Sequence, residues 1–322
     1  LAALRRGQQE FESLIQQQTL PVVLRYLSHV QDYAEMAVKQ VLRRLKSGRF
    51  QYPLDNGSVV SVSVKIDHDS QSATIDFSGT SLQRSDNFNA PSAICKAAVL
   101  YVFRTLVQED IPLNAGCLRP LRLVIPEGSM LAPQWPAAVV AGNVETSQVI
   151  TDALYGALGV MAGAQGTMNN FTFGNETHQY YETIAGGSGA GENFPGADGV
   201  QTHMTNSRIT DPEVLELRFP VILEQFSFRP NSGGCGRMHG GKGLVRRFRF
   251  LEEMTAAILA NRRKIPPFGL AGGESASSGE DRVLPGDGEP FLLSGIGQVR
   301  LQPGDRIEIL TPGGGGFGVE GE

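Results

Sequence analysis

Residues 141 to 245 set glycines among side chains that can donate, accept or carry a proton. In order they read AGNVETSQ (Ala141–Gln148), GTMNNFTFG (Gly166–Gly174), QYYETIAGGSGAG (Gln179–Gly191), HMTNSRITDPEVLE (His203–Glu216) and SGGCGRMHGGKG (Ser232–Gly243). Glycine lets backbone N–H groups approach a ligand closely and adopt positive φ. The interleaved Asn, Thr, Tyr, Glu and His supply hydrogen-bonding groups and a base. This combination suits a site that holds a polar small molecule and moves a proton. Glu145, Glu182 and His203 are the candidate catalytic residues. Asn143, Asn206, Arg208, Gly187 and Gly189 are the candidate substrate contacts.

Each candidate also has a structural reading. On a strand over residues 179–184, Tyr180 and Glu182 would share a face. They are then either an acid–base pair or a core tyrosine beside a structural carboxylate. His203 is a base, a ligand or a loop hydrogen-bonder. Asn206 could donate to an oxyanion, and Arg208 could clamp a carboxylate or simply be solvated. Asp211 reads as the N-cap of a short helix over Glu213–Leu217. His178 and Glu182, with His203 downstream, have metal-ligand types but no supporting cluster, so no metal is assigned.

Two glycine motifs imitate nucleotide sites. Gly236–Gly243 almost matches the P-loop, but Gly243 replaces the Ser/Thr and an alternating strand follows instead of a helix. A turn pinning two strands fits better. Gly313–Gly318 satisfies GxGxxG with only four residues after it, so no helix can receive a pyrophosphate.

The elements that must position these residues are mixed. Residues 2–18 read as one helix, and Leu20-Pro21 opens a second that runs to about Gly48. Val60, Val62, Val64 and Ile66 alternate with polar residues, as do Ala73, Ile75 and Phe77, which predicts a hairpin. A helix follows from Pro91 to about Gln108, then a short strand at Leu121–Ile125. Gln148–Ala164 reads as a buried helix capped by Thr146 or Ser147, which places Asn143 and Glu145 at an anion-favouring N-terminus. Beyond Asn169 the pattern is β-rich, with strands at Val245–Phe250 and Arg306–Leu310. The expected fold class is α+β, helical first and then β-rich with glycine loops. One unit spans 1–322, with a weak sub-boundary near 165.

Net charge of −5 lacks the basic face of a nucleic-acid binder. No apolar run approaches membrane-spanning length. The three cysteines, Cys95, Cys117 and Cys235, lack zinc spacing and fit free thiols in a reducing cytoplasm.

The strings YYETIAGGSGAG, HMTNSRITDPEVLE, SGGCGRMHGGKG and TPGGGGFG resemble the hydantoinase B/oxoprolinase family, most closely its ATP-dependent 5-oxoprolinases, from about Leu4 to the C-terminus. The resemblance implies ATP-dependent opening of 5-oxoproline to glutamate. This chain would be a C-terminal fragment of the hydantoinase B-like region, contributing to ring opening. ATP with Mg would belong to a hydantoinase A-like half, the expected partner, and no cofactor is expected on this chain itself. A homo-oligomer is expected as well. An N-methylhydantoinase, an acetone or acetophenone carboxylase subunit, and a non-catalytic scaffold contacting the A-like half stay open.

Overall fold

The computed structural model describes residues 1–321. Two helices come first, α1 (Ala2–Gln18) and α2 (Leu20–Leu42), followed by strands β1 (Gly48–Pro53), β2 (Val59–Asp67) and β3 (Ser72–Asp76). Then come α3 (Ser92–Leu106), β4 (Leu121–Val124), a π-helical turn at Gly142–Thr146 and α4 (Ser147–Leu158). Strands β5 (Asn170–Gly174) and β6 (Gln179–Thr183), helix α5 (Pro212–Arg218) and β7 (Val221–Phe228) follow. The chain closes with β8 (Leu244–Phe250), β9 (Met254–Leu259), β10 (Glu280–Leu284), β11 (Phe291–Leu293), β12 (Ile296–Leu301) and β13 (Arg306–Leu310). The α+β class and its helix-first order are as the sequence reads.

The first core forms because β2 and β3 alternate. Val60, Val62, Val64, Ala73 and Ile75 turn inward against α2, α3 and α4. The predicted hairpin is present, with Val64 opposite Ile75, and β4 joins β3 in parallel. Gly48 does not end the second helix. That helix stops at Leu42, and Gly48 instead opens β1, where an added Cβ would lie 2.0 Å from the Ala157 carbonyl oxygen. This close approach seats β1 on α4.

Helix α4 is shorter than the apolar run suggests. Gly159 ends it in the left-handed region at φ 69°, as C-terminal glycines commonly do. Val160 and Met161 remain apolar because they pack on the first core after the helix has ended. Thr146 precedes α4 but does not cap it; its hydroxyl donates to the Phe88 carbonyl at 2.6 Å.

The second core is a β-sandwich. One sheet runs β11-β10-β13-β8-β7 and the other β12-β9-β5-β6. Phe171 and Phe173 of β5 meet Phe248 and Phe250 of β8 across the interior, with ring centroids 5.1 and 5.5 Å apart. Asp211 caps α5 as expected, accepting from the Glu213 and Val214 amides.

The glycine loops bind the sandwich together. Segments 186–191, 232–243 and 311–318 lie backbone against backbone. A Cβ on Gly240 would sit 1.8 Å from the Gly314 oxygen, and one on Gly187 would sit 2.0 Å from the Gly241 oxygen. Side chains are excluded here because peptide planes occupy their space.

Candidate functional site

A buried polar seam runs between the two cores, beside the first turns of α4. Glu145 lies at its centre, fully buried. Its Oε1 accepts from Thr167 Oγ1 at 2.9 Å, the Met168 amide at 3.0 Å and Asn170 Nδ2 at 2.7 Å. Its Oε2 has no hydrogen-bond partner among the described residues. Burial pushes this carboxyl up to about 8, against the opposing pull of the Thr167 hydroxyl, the Met168 amide and the Arg263 charge. Asn170 extends the chain outward, because its Oδ1 accepts from the half-exposed Tyr181 hydroxyl at 2.7 Å.

The expected free helix N-terminus at Asn143 and Glu145 is not there. The π-helical turn runs directly into α4, and the Ser147 amide donates to the Glu145 and Gly142 carbonyls. Asn143 is exposed on that turn.

The seam continues to His203. Asn169 Nδ2 donates to Gln165 Oε1 at 2.8 Å, Gln165 Nε2 reaches Thr202 Oγ1 at 3.5 Å, and Gln148 Nε2 holds the Thr202 carbonyl at 2.9 Å. His203 follows, with its side chain only 4% exposed and its Nε2 3.1 Å from Asp152 Oδ1. A carboxylate oxygen can only accept, so Nε2 carries the proton. Nδ1 is then an acceptor, 3.4 Å from the Tyr101 hydroxyl. The Ala164 amide holds Asp152 Oδ1 at 3.1 Å. The Tyr155 ring lies 5.2 Å from the imidazole, with its hydroxyl 2.7 Å from Thr105 Oγ1. Tyr101, Tyr155 and His203, with Met161, Ser188 and Gln201, line a cavity of about 280 Å³. An imidazole oriented by a carboxylate at the edge of a small, mostly apolar cavity is the arrangement of a general base.

Backbone strain concentrates along the same seam. Asn169, His203 and Arg262 have φ of 45°, 53° and 64°, a region that non-glycine residues seldom adopt and that clusters at functional sites. Arg262 is fully buried, with its guanidinium 3.5 Å from the Tyr52 ring centroid and its Nη1 donating to the Pro53 carbonyl at 2.9 Å.

Glu182 lies elsewhere, inside the sandwich. It does share a face with Tyr180, whose hydroxyl donates to Glu182 Oε2 at 2.7 Å. Arg246 of β8 donates to the same oxygen at 3.1 Å and places its Nε 3.1 Å from Oε1. Burial pushes this carboxyl above its usual range despite the arginine. The geometry is that of a buried ion pair joining the two sheets.

The remaining candidates do not converge. Asn206 and Arg208 are exposed on the loop after His203. Gly187 and Gly189 press against other backbone segments, although Ser188 between them reaches the His203 cavity. The glycines approach one another rather than a ligand. His178 lies in a turn closed by Asn175, whose Oδ1 accepts from the His178 amide at 2.9 Å. Among the described residues, no three His, Cys, Asp or Glu side chains are grouped to hold a metal.

The near-P-loop segment does not fit nucleotide phosphates. Its Gly240 and Gly241 amides donate to the Gly234 and Ser188 carbonyls at 2.9 Å each, and the Lys242 ammonium lies 3.7 Å from Asp198. The segment connects β7 to β8, so the strand-pinning turn is what the structure contains.

Sequence reasoning missed Asp152, Tyr101, Tyr155, Gln165, Arg262 and Arg263. Asp152, the one carboxylate in a buried helix, is the signal that could have found them.

The hydantoinase B/oxoprolinase family model matches residues 1–320. The chain belongs to this family. Among curated relatives, a 5-oxoprolinase of Dictyostelium discoideum is 45% identical over 327 residues, covering 99% of this chain and 26% of the relative. A 5-oxoprolinase of Saccharomyces cerevisiae is 44% identical, covering 99% of this chain and 27% of the relative. The chain therefore spans about a quarter of the length of these hydantoinase B/oxoprolinase relatives. The ATP-dependent caprolactamase from Pseudomonas jessenii shares the fold, with a TM-score of 0.86 at 20% identity over 99% of this chain and 60% of that one. A nucleotide-free acetone carboxylase does too, with a TM-score of 0.82 at 16% identity over 96% and 50%.

Proposed function

We propose that this chain forms part of an ATP-dependent cyclic-amide hydrolase of the 5-oxoprolinase type, and that it supplies the general base for lactam ring opening. The observation that carries this reading is the His203 imidazole, oriented by Asp152 through Nε2, with Nδ1 beside the Tyr101 hydroxyl at a small cavity that His203 lines. The relatives named 5-oxoprolinase support the substrate class.

An unactivated lactam resists attack by water, and phosphorylating its oxygen makes the carbon more electrophilic. Among the described residues, the near-P-loop segment spends its amides on other backbone carbonyls, so that activation is assigned to a hydantoinase A-like partner. In the His203 cavity, Nδ1 accepts the first proton of the attacking water while Asp152 stabilises the resulting imidazolium. Both water protons end on the ring nitrogen, the first by way of His203, as the C–N bond breaks, and the acyl phosphate left behind is hydrolysed by a second water to glutamate and phosphate. Ser188, which reaches the cavity, is assigned to donate to the tetrahedral centre. Glu145 takes the second proton-handling role, linked to the surface through Asn170 and Tyr181. Asn143, Asn206 and Arg208 are assigned to contacts with the partner or with substrate entering from the exposed loop. Glu182 is assigned to holding the sandwich.

The test is His203→Asn, a residue that tolerates positive φ, assayed with the remaining length of a 5-oxoprolinase supplied. Glutamate release falls by about 10²–10⁴-fold while 5-oxoproline-dependent ATP hydrolysis persists. Glutamate release within about threefold of the parent, less than any catalytic base contributes, removes His203 from the chemistry.

A further inference from the structure

A second cavity, of about 480 Å³, opens at the other end of the seam and shares no lining residue with the His203 cavity. It lies where the Leu54–Asn56 turn meets the loop after β9 and the connection from β11 to β12, which passes from one sheet to the other. Its volume is in the range of small-molecule sites. Phe88, Ala260, Leu293 and Ile296 give it an apolar wall.

The carboxylates around it are already committed. Asp55 accepts from the Arg263, Lys264 and Ile265 amides at 2.6, 3.2 and 3.0 Å. Asp281 holds Arg263 through two contacts of 2.9 Å, and Glu280 pairs with Arg282. The free groups that remain are donors. Asn261 is 1% exposed, and its Oδ1 must face the Asp55 amide, which donates to it at 2.9 Å. That fixes the amide orientation and leaves Nδ2 without an acceptor among the described residues. A buried donor left unmatched is costly. At the rim, exposed Lys264 lines the cavity and, among the described residues, is in no ion pair with a carboxylate.

We infer that this cavity binds a small organic acid bearing a second oxygen acceptor. The acceptor takes the Asn261 Nδ2 hydrogen, the apolar body lies on Leu293 and Ile296, and the carboxylate faces Lys264 at the mouth. The loop is pre-shaped for this by the strained Arg262 backbone at φ 64° and by the three amides that Asp55 gathers. The site stands or falls independently of the His203 chemistry.

The experiment is an NMR titration of the isotope-labelled chain with N-acetylglycine, which joins a carboxylate to an amide carbonyl. N-methylacetamide and acetate serve as the halves. N-acetylglycine shifts the Asn261 side-chain amide and the Leu293 and Ile296 methyls saturably, and each half binds about tenfold more weakly. Lys264→Ala, an exposed change that leaves the fold intact, weakens binding by about three- to tenfold. Asn261→Asp replaces the donor with an acceptor and abolishes the saturable shifts of the Leu293 and Ile296 methyls. If that variant fails to fold, Lys264→Ala and the two half-ligands decide alone. No saturable shift at these residues, or equal binding of N-methylacetamide and N-acetylglycine, overturns the site. So does unchanged binding in Lys264→Ala.

Discussion

Replacing Glu145 with glutamine should change how the stability of this chain depends on pH. The carboxyl is fully buried and raised from 4.5 to about 8, so the folded state keeps a proton that the unfolded state releases. Stability from this group is fully present below about pH 4.5 and is lost as pH rises towards 8, because the unfolded state ionises first. Between pH 5 and pH 8 the linkage amounts to about 3.5 kcal/mol, from 1.36 kcal/mol per pKa unit. Glu145→Gln keeps Oε1 as the acceptor for Thr167, Met168 and Asn170 and removes the ionisation. Urea unfolding of both proteins at pH 5, 6, 7 and 8 isolates the effect, since all other titrating groups cancel in the difference. The variant gains on the parent by about 1 kcal/mol per pH unit across this range. Parallel profiles, agreeing within about 0.5 kcal/mol, would refute the claim that the folded protein keeps Glu145 protonated.

Two further outcomes test the packing. Gly240→Ala inserts a methyl 1.8 Å from the Gly314 oxygen and should cost about 3 kcal/mol or more, or prevent soluble expression, because backbone cannot move aside. Gly286→Ala, whose nearest neighbour is 3.7 Å away, should be close to neutral in the same thermal melt. Glu182→Ala strands the buried Arg246 charge and should lose about 3–5 kcal/mol, whereas adding Arg246→Met should recover most of it. A single variant of full stability would argue instead for a Glu182 free to do chemistry.

The elements with strict periodicity were legible in the sequence. The Val60–Ile66 alternation fixed both strand and inward face, and Val245–Phe250 and Arg306–Leu310 followed suit. Ends were less legible where an apolar run outlasted its element, as at Val160 and Met161, or where a glycine opened a strand rather than closing a helix, as at Gly48. Of the candidate bases, His203 and Glu145 fall on one seam, but nothing in their spacing distinguishes them from Glu182. That distinction depends on Arg246, 64 residues away in sequence yet 3.1 Å away in space.

The sequence by itself determined the family, the order of helices and strands, and the polar residue types available for proton transfer. Those are local or pattern properties, carried by neighbouring residues. Only the tertiary structure decided which carboxylate is paired, which imidazole is oriented and what the glycines do. Burial, partner geometry and backbone contact arise when distant segments meet. The Gly240–Gly314 approach and the His203–Asp152 pair exist only after that meeting.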